Sequence, residues 1–428
     1  MGRVSSVSGL ELVGAGFGTT IRLGHHVCVA NRVRGEVVGI SEGQVKILPF
    51  GVWEGIAPGD EIRMIEGQPE IFPSEAWVGR VIDAFGSPID DLHLTEGRRP
   101  SPIRRAPPEA FSRRTVGAKL ETRIKALDVF VPLCRGQRLG VFAGSGVGKS
   151  TLMGMLARQS DAEVIVLGLV GERGREVRDF IEKELGPDGM KRSVLVVATS
   201  DQPALVRRQA AWTATAVAEF FRDQGKHVLL MIDSVTRFAM AQREIGLAAG
   251  EPPTSKGYTP TVFTELPKLL ERSGPGSDQN GQGDITAIYT VLVDGDDMNE
   301  PIADNVRGVL DGHVVLDRKI AERGRYPAVN IQRSISRMLP GCHAPAEFEI
   351  MRTARGSMAR HADLEDLVRI GAYRKGSDAQ ADMDIVFSEK GEEFLAQGKS
   401  DPVTSIEAFA ALFGLLHEAG IKVEVDPS

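Results

Sequence analysis

Ala143-Gly-Ser-Gly-Val-Gly-Lys-Ser150 is the stretch on which the reading of this chain turns. The apolar run 138–142 before it predicts a strand, and Thr151-Leu-Met-Gly-Met-Leu156 after it predicts a helix. Glycines at such a strand-to-helix turn let successive backbone N–H groups curl around an anion, and the helix N-terminus adds favourable partial charge. Lys149 can then reach the β- and γ-phosphates of a nucleotide, and Ser150 can offer its hydroxyl to Mg²⁺. Gly144, Ser145, Gly146, Val147, Gly148, Lys149, Ser150 and Thr151 are therefore expected to hold ATP. Ala143 stands where the strict pattern has its first Gly, so the segment fits the relaxed form of the motif.

Further apolar runs at 164–169, 194–198 and 228–232 are separated by stretches long enough for helices. This alternation predicts an α/β domain with a largely parallel, buried sheet. His227-Val-Leu-Leu-Met-Ile-Asp233 ends in a carboxylate at the carboxyl edge of that sheet, either to hold the water shell of Mg²⁺ or to cap the next helix. The run from Val164 likewise leads into Gly-Glu172-Arg-Gly-Arg-Glu176. Glu172 there is either the group that prepares water for hydrolysis or a charge favoured by a helix dipole.

Upstream, residues 1–72 show alternating apolar segments broken by turn signals about every ten residues, which predicts a small β-barrel. Glu36-Val-Val-Gly-Ile40 and Val45-Lys-Ile-Leu48 around Glu42-Gly43 read as a hairpin. Residues 73–118 are rich in Pro and read as a linker, with Arg98, Arg99, Arg104, Arg105, Arg113 and Arg114 as solvated charge or as contacts to a nucleotide or partner. Residues 119–340 then form the nucleotide domain, and 341–428 a helical C-terminal domain. There Ile406, Phe409, Ala410, Phe413 and Leu416 follow the cap signal Thr404-Ser405 at 3-4 spacing and are expected to pack as core.

The chain has 428 residues, 42% hydrophobic and 25% charged, with a formal net charge of −7. The acidic balance disfavours a nucleic-acid-coating surface. Neither a membrane-spanning run nor a secretory signal is visible, which points to the cytoplasm. Cys28, Cys134 and Cys342 are few, odd in number and far apart, so they are expected to be reduced thiols rather than a disulfide framework or metal site.

Glu121-Thr-Arg-Ile-Lys-Ala-Leu-Asp128, Arg135-Gly-Gln137, the phosphate loop, Gly171-Glu-Arg-Gly-Arg-Glu176, Asp233-Ser and Tyr326-Pro-Ala together resemble the catalytic subunits of the F-type, V-type and type III secretion ATPases, over almost the whole chain. Asp296-Asp-Met-Asn-Glu-Pro-Ile-Ala-Asp304 and Asp311-Gly-His-Val-Val-Leu316 resemble the type III export branch, its flagellar members above all. The resemblance implies a RecA-like P-loop domain between the barrel and the helical domain. It implies Glu172 as catalytic carboxylate, Lys149 and Ser150 on phosphate and Mg²⁺, Asp233 on the metal, and Tyr326 beside adenine. Arg337, in Ser334-Ile-Ser-Arg337, matches the arginine inserted into a neighbour's site.

A homo-hexamer in the cytoplasm, peripheral to an inner-membrane export gate, is implied in turn. Its partners would be export-apparatus proteins, a regulatory stator-like protein, and exported proteins with their chaperones. An injectisome ATPase and a rotary F/V-type subunit share the chemistry and stand as alternatives, and an RNA translocase is disfavoured by charge and low aromatic content. Arg123 stands where the family commonly has Gly. The chain also starts almost at the barrel, without the longer helical extension that flagellar members commonly use to bind their regulatory partner, which puts that route in question.

Overall fold

Alternation of side chains along strands explains the architecture of the computed structural model, which describes residues 1–9, 11–293 and 297–423. In Val164–Glu172, Ile165, Leu167 and Leu169 join the core on one face of a central sheet, while Val164, Val166 and Val170 join the core on the other. A strand apolar on both faces needs a cover on each, and helices supply it. Among the described residues the sheet has nine strands. Its main path runs Ile335–Ser336, Gly312–Leu316, Arg138–Ala143, Asp284–Leu292, Val228–Asp233, Val164–Glu172, Ser193–Thr199 and Val81–Ile82. Pairing along this path is parallel except at the Ile335–Ser336 edge, and Gly274–Pro275 pairs antiparallel off Asp284–Leu292.

The N-terminal strands close into a barrel in the order Gly2–Val7, Leu12–Ala15, Gln44–Pro49, Val33–Ser41, His26–Val29, Glu61–Met64. Closure leaves no unpaired edge. The hairpin at Glu42-Gly43 has both central residues at positive φ, 48° and 78°, as a two-residue turn between right-twisted strands requires. The segment 73–118 does more than connect. Val81–Ile82 extends the central sheet, and Trp77 is fully buried. Four of its arginines are pinned to distant residues, Arg104 to Glu36, Arg105 to Asp223, Arg113 to the Ser273 carbonyl, and Arg114 to Asp278 and Asp284, while Arg98 and Arg99 are exposed as solvated charge.

Helices Pro345–Arg369, Ala379–Leu395 and Ser405–Glu418 form the C-terminal domain, and their apolar faces continue the core beneath the phosphate-loop helix Lys149–Gln159. Thr404 caps Ser405–Glu418 as expected, in a capping box with Glu407. The buried stripe is nevertheless Ala408, Phe409, Leu412 and Leu416, whereas Ile406, Ala410 and Phe413 face solvent. Phe409 and Leu416 pack as core as expected, but the rest of the stripe lies on the Ala408 and Leu412 side, because the apolar content on both sides of this helix supports two registers of the same repeat. Asp296, first residue of an export-type segment, lies outside the described residues; Pro301–Val309 downstream is helical.

Arg123, where the family commonly has Gly, has φ of 59°. That left-handed region is open to Gly and costs other residues about 1 kcal/mol. The strain is held by the C-terminal domain, since Gln397 Nε2 and the Val403 amide both donate to the Arg123 carbonyl at 2.8 and 3.2 Å.

Barrel and nucleotide domain meet at a buried carboxylate. Glu36 accepts from Arg104 at 2.8 Å and from Arg208 of helix Ala204–Arg222, and both Glu36 and Arg208 are under 5% exposed. Burial alone would raise this carboxyl, but the two guanidinium groups hold it below its ordinary value. Removing one member of such a cluster strands the others without compensation. Glu36→Ala is therefore expected to lose about 3–5 kcal/mol of stability. Urea unfolding checks this, and a variant as stable as the parent would show that the cluster is dispensable.

Candidate functional site

The phosphate loop leaves the carboxyl end of Arg138–Ala143 and turns at Gly146 and Gly148, with φ of 77° and 92°, into the helix that begins at Lys149. Gly148 is constrained twice. Its φ is left-handed, and a Cβ there would lie 3.2 Å from the ring of Tyr326. Tyr326 thus packs on the loop and remains 42% exposed. A cleft of about 500 Å³ opens above the loop. Gly144, Ser145, Gly146, Gly148, Lys149, Ser150 and Thr151 line one wall; Glu172, Arg173, Glu176 and Arg237 line another. Val147 points the other way, into the core, and is 1% exposed.

Three strand ends deliver charge to this cleft. Lys149 Nζ donates to Asp233 Oδ1 and lies 3.7 Å from Glu172 Oε1. Thr290, on the neighbouring strand Asp284–Leu292, donates its hydroxyl to the same Asp233 oxygen at 2.7 Å. All three charged side chains are largely buried. Burial, then the negative charge of Asp233, push the Glu172 carboxyl up to about 7, against the opposing pull of Lys149. Glu176 beside it adds to the rise, and Arg237 across the cleft opposes it together with Lys149.

Sequence reading missed Arg237 and Thr290. Arg237 stands four residues after Asp233, on the first turn of helix Val235–Ala249, and that spacing alone could have placed it at the same edge. Its Cβ approaches Gly171 so closely that a Cβ on Gly171 would lie 3.0 Å away, and its Nε is buried with no hydrogen-bond partner among the described residues. Thr290 left no signal, because its strand was not read as facing the site.

Arg337 is not in this cleft. Its amide donates to the Asp311 carbonyl, and the Asp311 amide donates to the carbonyl of Arg138, at the amino end of the strand that carries the loop at its other end. Six residues of strand separate the two places, roughly 20 Å at about 3.3 Å per residue. Arg337 is exposed there, sharing a shallow depression with His313 and Arg307.

The charge balance makes a prediction for the nucleotide-free protein. A carboxyl raised by folding favours the native state fully at low pH and ceases to do so as pH rises through its folded value, here about 7. Wild type should lose about 1–2 kcal/mol relative to Glu172→Gln between about pH 4.5 and pH 7, after allowance for solvent screening, and little more above that. Thermal unfolding of the two proteins across that range measures it, and parallel pH curves would refute the shift.

Comparison with known proteins agrees with this geometry. A model of the ATP synthase alpha/beta family, nucleotide-binding domain, matches residues 123–336, and one of the T3SS EscN ATPase C-terminal domain matches residues 344–413. The flagellum-specific ATP synthase of Caulobacter vibrioides is 52% identical over 97% of this chain and 95% of its own length. Among solved structures, the assembled ATPase EscN from the enteropathogenic E. coli type III secretion system is similar with a TM-score of 0.91 at 38% identity, covering 97% of this chain and 100% of that one. EscN in complex with its central stalk EscO gives 0.88 at 38% identity, with the same coverage of both chains. With its cleft, its sheet order and these matches taken together, the chain belongs to the ATP synthase alpha/beta family, in the branch of flagellar and type III secretion export ATPases.

Proposed function

We propose that this protein hydrolyses ATP to energise export of flagellar proteins through a type III secretion apparatus. The observation that carries the chemistry is the convergence of Lys149, Glu172 and Asp233 from three strand ends on one phosphate-loop cleft. Entering phosphates compete with the two carboxylates for the Lys149 ammonium, and the loop amides and Arg237 supply further donors. Tyr326, packed on Gly148 and partly exposed, is placed to lie against the base.

Ser150 and Asp233 offer hard oxygen donors, and no cluster of three or more His, Cys, Asp or Glu forms a protein cage among the described residues. That donor set fits Mg²⁺ that arrives with the nucleotide and keeps several waters. When bound, the ion neutralises charge on the phosphates. Glu172 needs no contact with it. Displacement of Lys149 toward phosphate frees Glu172 to orient water and take its proton, and the buried carboxyl is already raised into the neutral range in the nucleotide-free cleft.

Arg337 is too far from the cleft of its own chain to act there, so its role requires a neighbour. A homo-hexameric ring, with each Arg337 entering the next subunit's site, satisfies this and is supported by the likeness to assembled EscN. Likeness to EscN bound to its central stalk supports a stalk-like partner here, alongside export-apparatus proteins and exported substrates with their chaperones. No helix among the described residues is long and apolar enough to cross a membrane. We place the protein in the cytoplasm, peripheral to the export gate of the inner membrane.

Phosphate release tests these roles. Glu172→Gln should bind ATP yet lose about 10²–10⁴-fold in kcat, and Arg337→Ala should lose about 10³-fold or more. Mixing Arg337→Ala with Lys149→Ala separates the trans reading from a local one. In mixed rings an intact cleft can meet an intact arginine, so activity should exceed that of either variant alone; a mixture no better than its parts would show that Arg337 acts within its own chain. Cells carrying Glu172→Gln as their sole copy should lack flagella, and assembled filaments there would overturn the export role.

A further inference from the structure

Two cysteines with 207 residues between them meet at the junction of the nucleotide and C-terminal domains. The segment 336–343 runs along residues 129–134 and is fastened to it at two points: Ser336 Oγ donates to the Pro132 carbonyl at 2.7 Å, and His343 Nε2 lies 2.9 Å from the Val129 carbonyl. This packing brings Cys342 to the side of Cys134, where each thiol is the first influence on the other's ionisation. Cys134 is 1% exposed, whereas Cys342 is partly exposed and within reach of a small solute.

The surroundings favour a thiolate at Cys342. The neighbouring Cys134 thiol lowers Cys342 below the ordinary thiol value against the opposing effect of burial, while Cys134 is raised. Lys119 adds to the lowering. It stands directly opposite Cys134 in the Lys119–Leu120 and Leu133–Cys134 ladder, and its Nζ is buried with no hydrogen-bond partner among the described residues, resting 5.2 Å over the Phe409 ring. A partly exposed thiolate beside an ammonium, with a second thiol in contact, has the composition of an oxidation-sensitive pair.

We propose that Cys134 and Cys342 form a reversible disulfide under peroxide stress and that the bond slows ATP turnover. The Cys342 thiolate attacks one oxygen of hydrogen peroxide, the O–O bond breaks, and the departing hydroxide takes a proton to become water. The Cys134 sulfur then attacks the resulting sulfenic acid; the S–S bond forms, the S–O bond breaks, and the hydroxyl leaves with the Cys134 proton as a second water. Two thiols give up two electrons to one peroxide. A thiol reductant reverses the step by exchange.

The position of the bond explains the cost to turnover. The Cys134 amide donates to Gln137 Oε1, and Gln137 Nε2 in turn donates to the Asp311 carbonyl and to Ser336 Oγ. These are the base of the phosphate-loop strand and the residue beside Arg337. A covalent tie from Cys134 to Cys342 would fix both relative to the C-terminal helices and oppose any shift between them during a cycle.

Treating the full-length protein with hydrogen peroxide, mapping it by non-reducing digestion and mass spectrometry, and following phosphate release tests the proposal. The expected result is a linked Cys134–Cys342 peptide, a several-fold fall in turnover, and recovery with dithiothreitol. Cys342→Ser and Cys134→Ala should each keep their turnover through the treatment. Absence of the linked peptide, an unchanged rate with the peptide present, or equal inactivation of both cysteine variants would overturn it. Because the effect on turnover rests on the hydrolase reading, the reduced protein is assayed first: no phosphate release there counts against hydrolysis, not against the thiol pair, which the mapped peptide tests by itself.

Discussion

A buried ammonium must be compensated, and in this protein the compensation of Lys149 organises the site. At about 4 Å and an effective dielectric near 20, one opposite charge is worth about 4 kcal/mol before desolvation is counted. Asp233 and Glu172 both approach the ammonium. Burial and the charge of Asp233 raise the Glu172 carboxyl, against the pull of Lys149 and Arg237. Nucleotide-free, the cleft is therefore held closed to charge imbalance by its own carboxylates. Polyphosphate replaces them with a stronger anion, and the displaced carboxylates become available for other work.

The rest of the fold serves that arrangement by fixing where strands end. Parallel pairing of Arg138–Ala143, Asp284–Leu292, Val228–Asp233 and Val164–Glu172 sets their carboxyl ends side by side, so residues remote in sequence reach one cation. The C-terminal domain reaches the same place from below. The Gln397 amide donates to the Tyr326 carbonyl, and the Lys399 carbonyl accepts from Arg158 and Gln159 at the end of the phosphate-loop helix. Movement of those helices would be felt at both Tyr326 and the helix that follows the phosphate loop, which is a direct route between the two domains.

Local grammar in the sequence revealed the loop, the sheet strands at 138, 164, 194 and 228, the Glu42-Gly43 hairpin and the Thr404 cap, because each is set by residues within one turn or one strand. What escaped depends on partners far along the chain. Arg113 and Arg114 looked like linker charge, yet their partners lie more than 150 residues away. Val81–Ile82 is too short to announce a strand and becomes one only because Ser193–Thr199 offers a free edge. The meeting of Cys134 and Cys342 escaped for the same reason. The helix Ser405–Glu418 failed differently: its period was legible, but a helix apolar on more than one side does not say which side faces inward.

The separation of Arg337 from the phosphate loop constrains assembly as well as chemistry. Each chain carries a cleft at the carboxyl end of its central strands and an exposed arginine at the amino end, so the two complementary surfaces are different patches of one molecule. An isologous dimer would fill both clefts only if cleft and arginine lay within one self-complementary patch, each arginine meeting the partner's cleft. A head-to-tail contact pairs unlike patches, and such contacts end either in a closed ring or in an open filament. Only closure completes every cleft, since a filament leaves one cleft unfilled at its end and one arginine unused at the other. If Arg337 acts in a neighbour's cleft as proposed, the requirement for complete sites thus favours a ring over an open filament among head-to-tail assemblies.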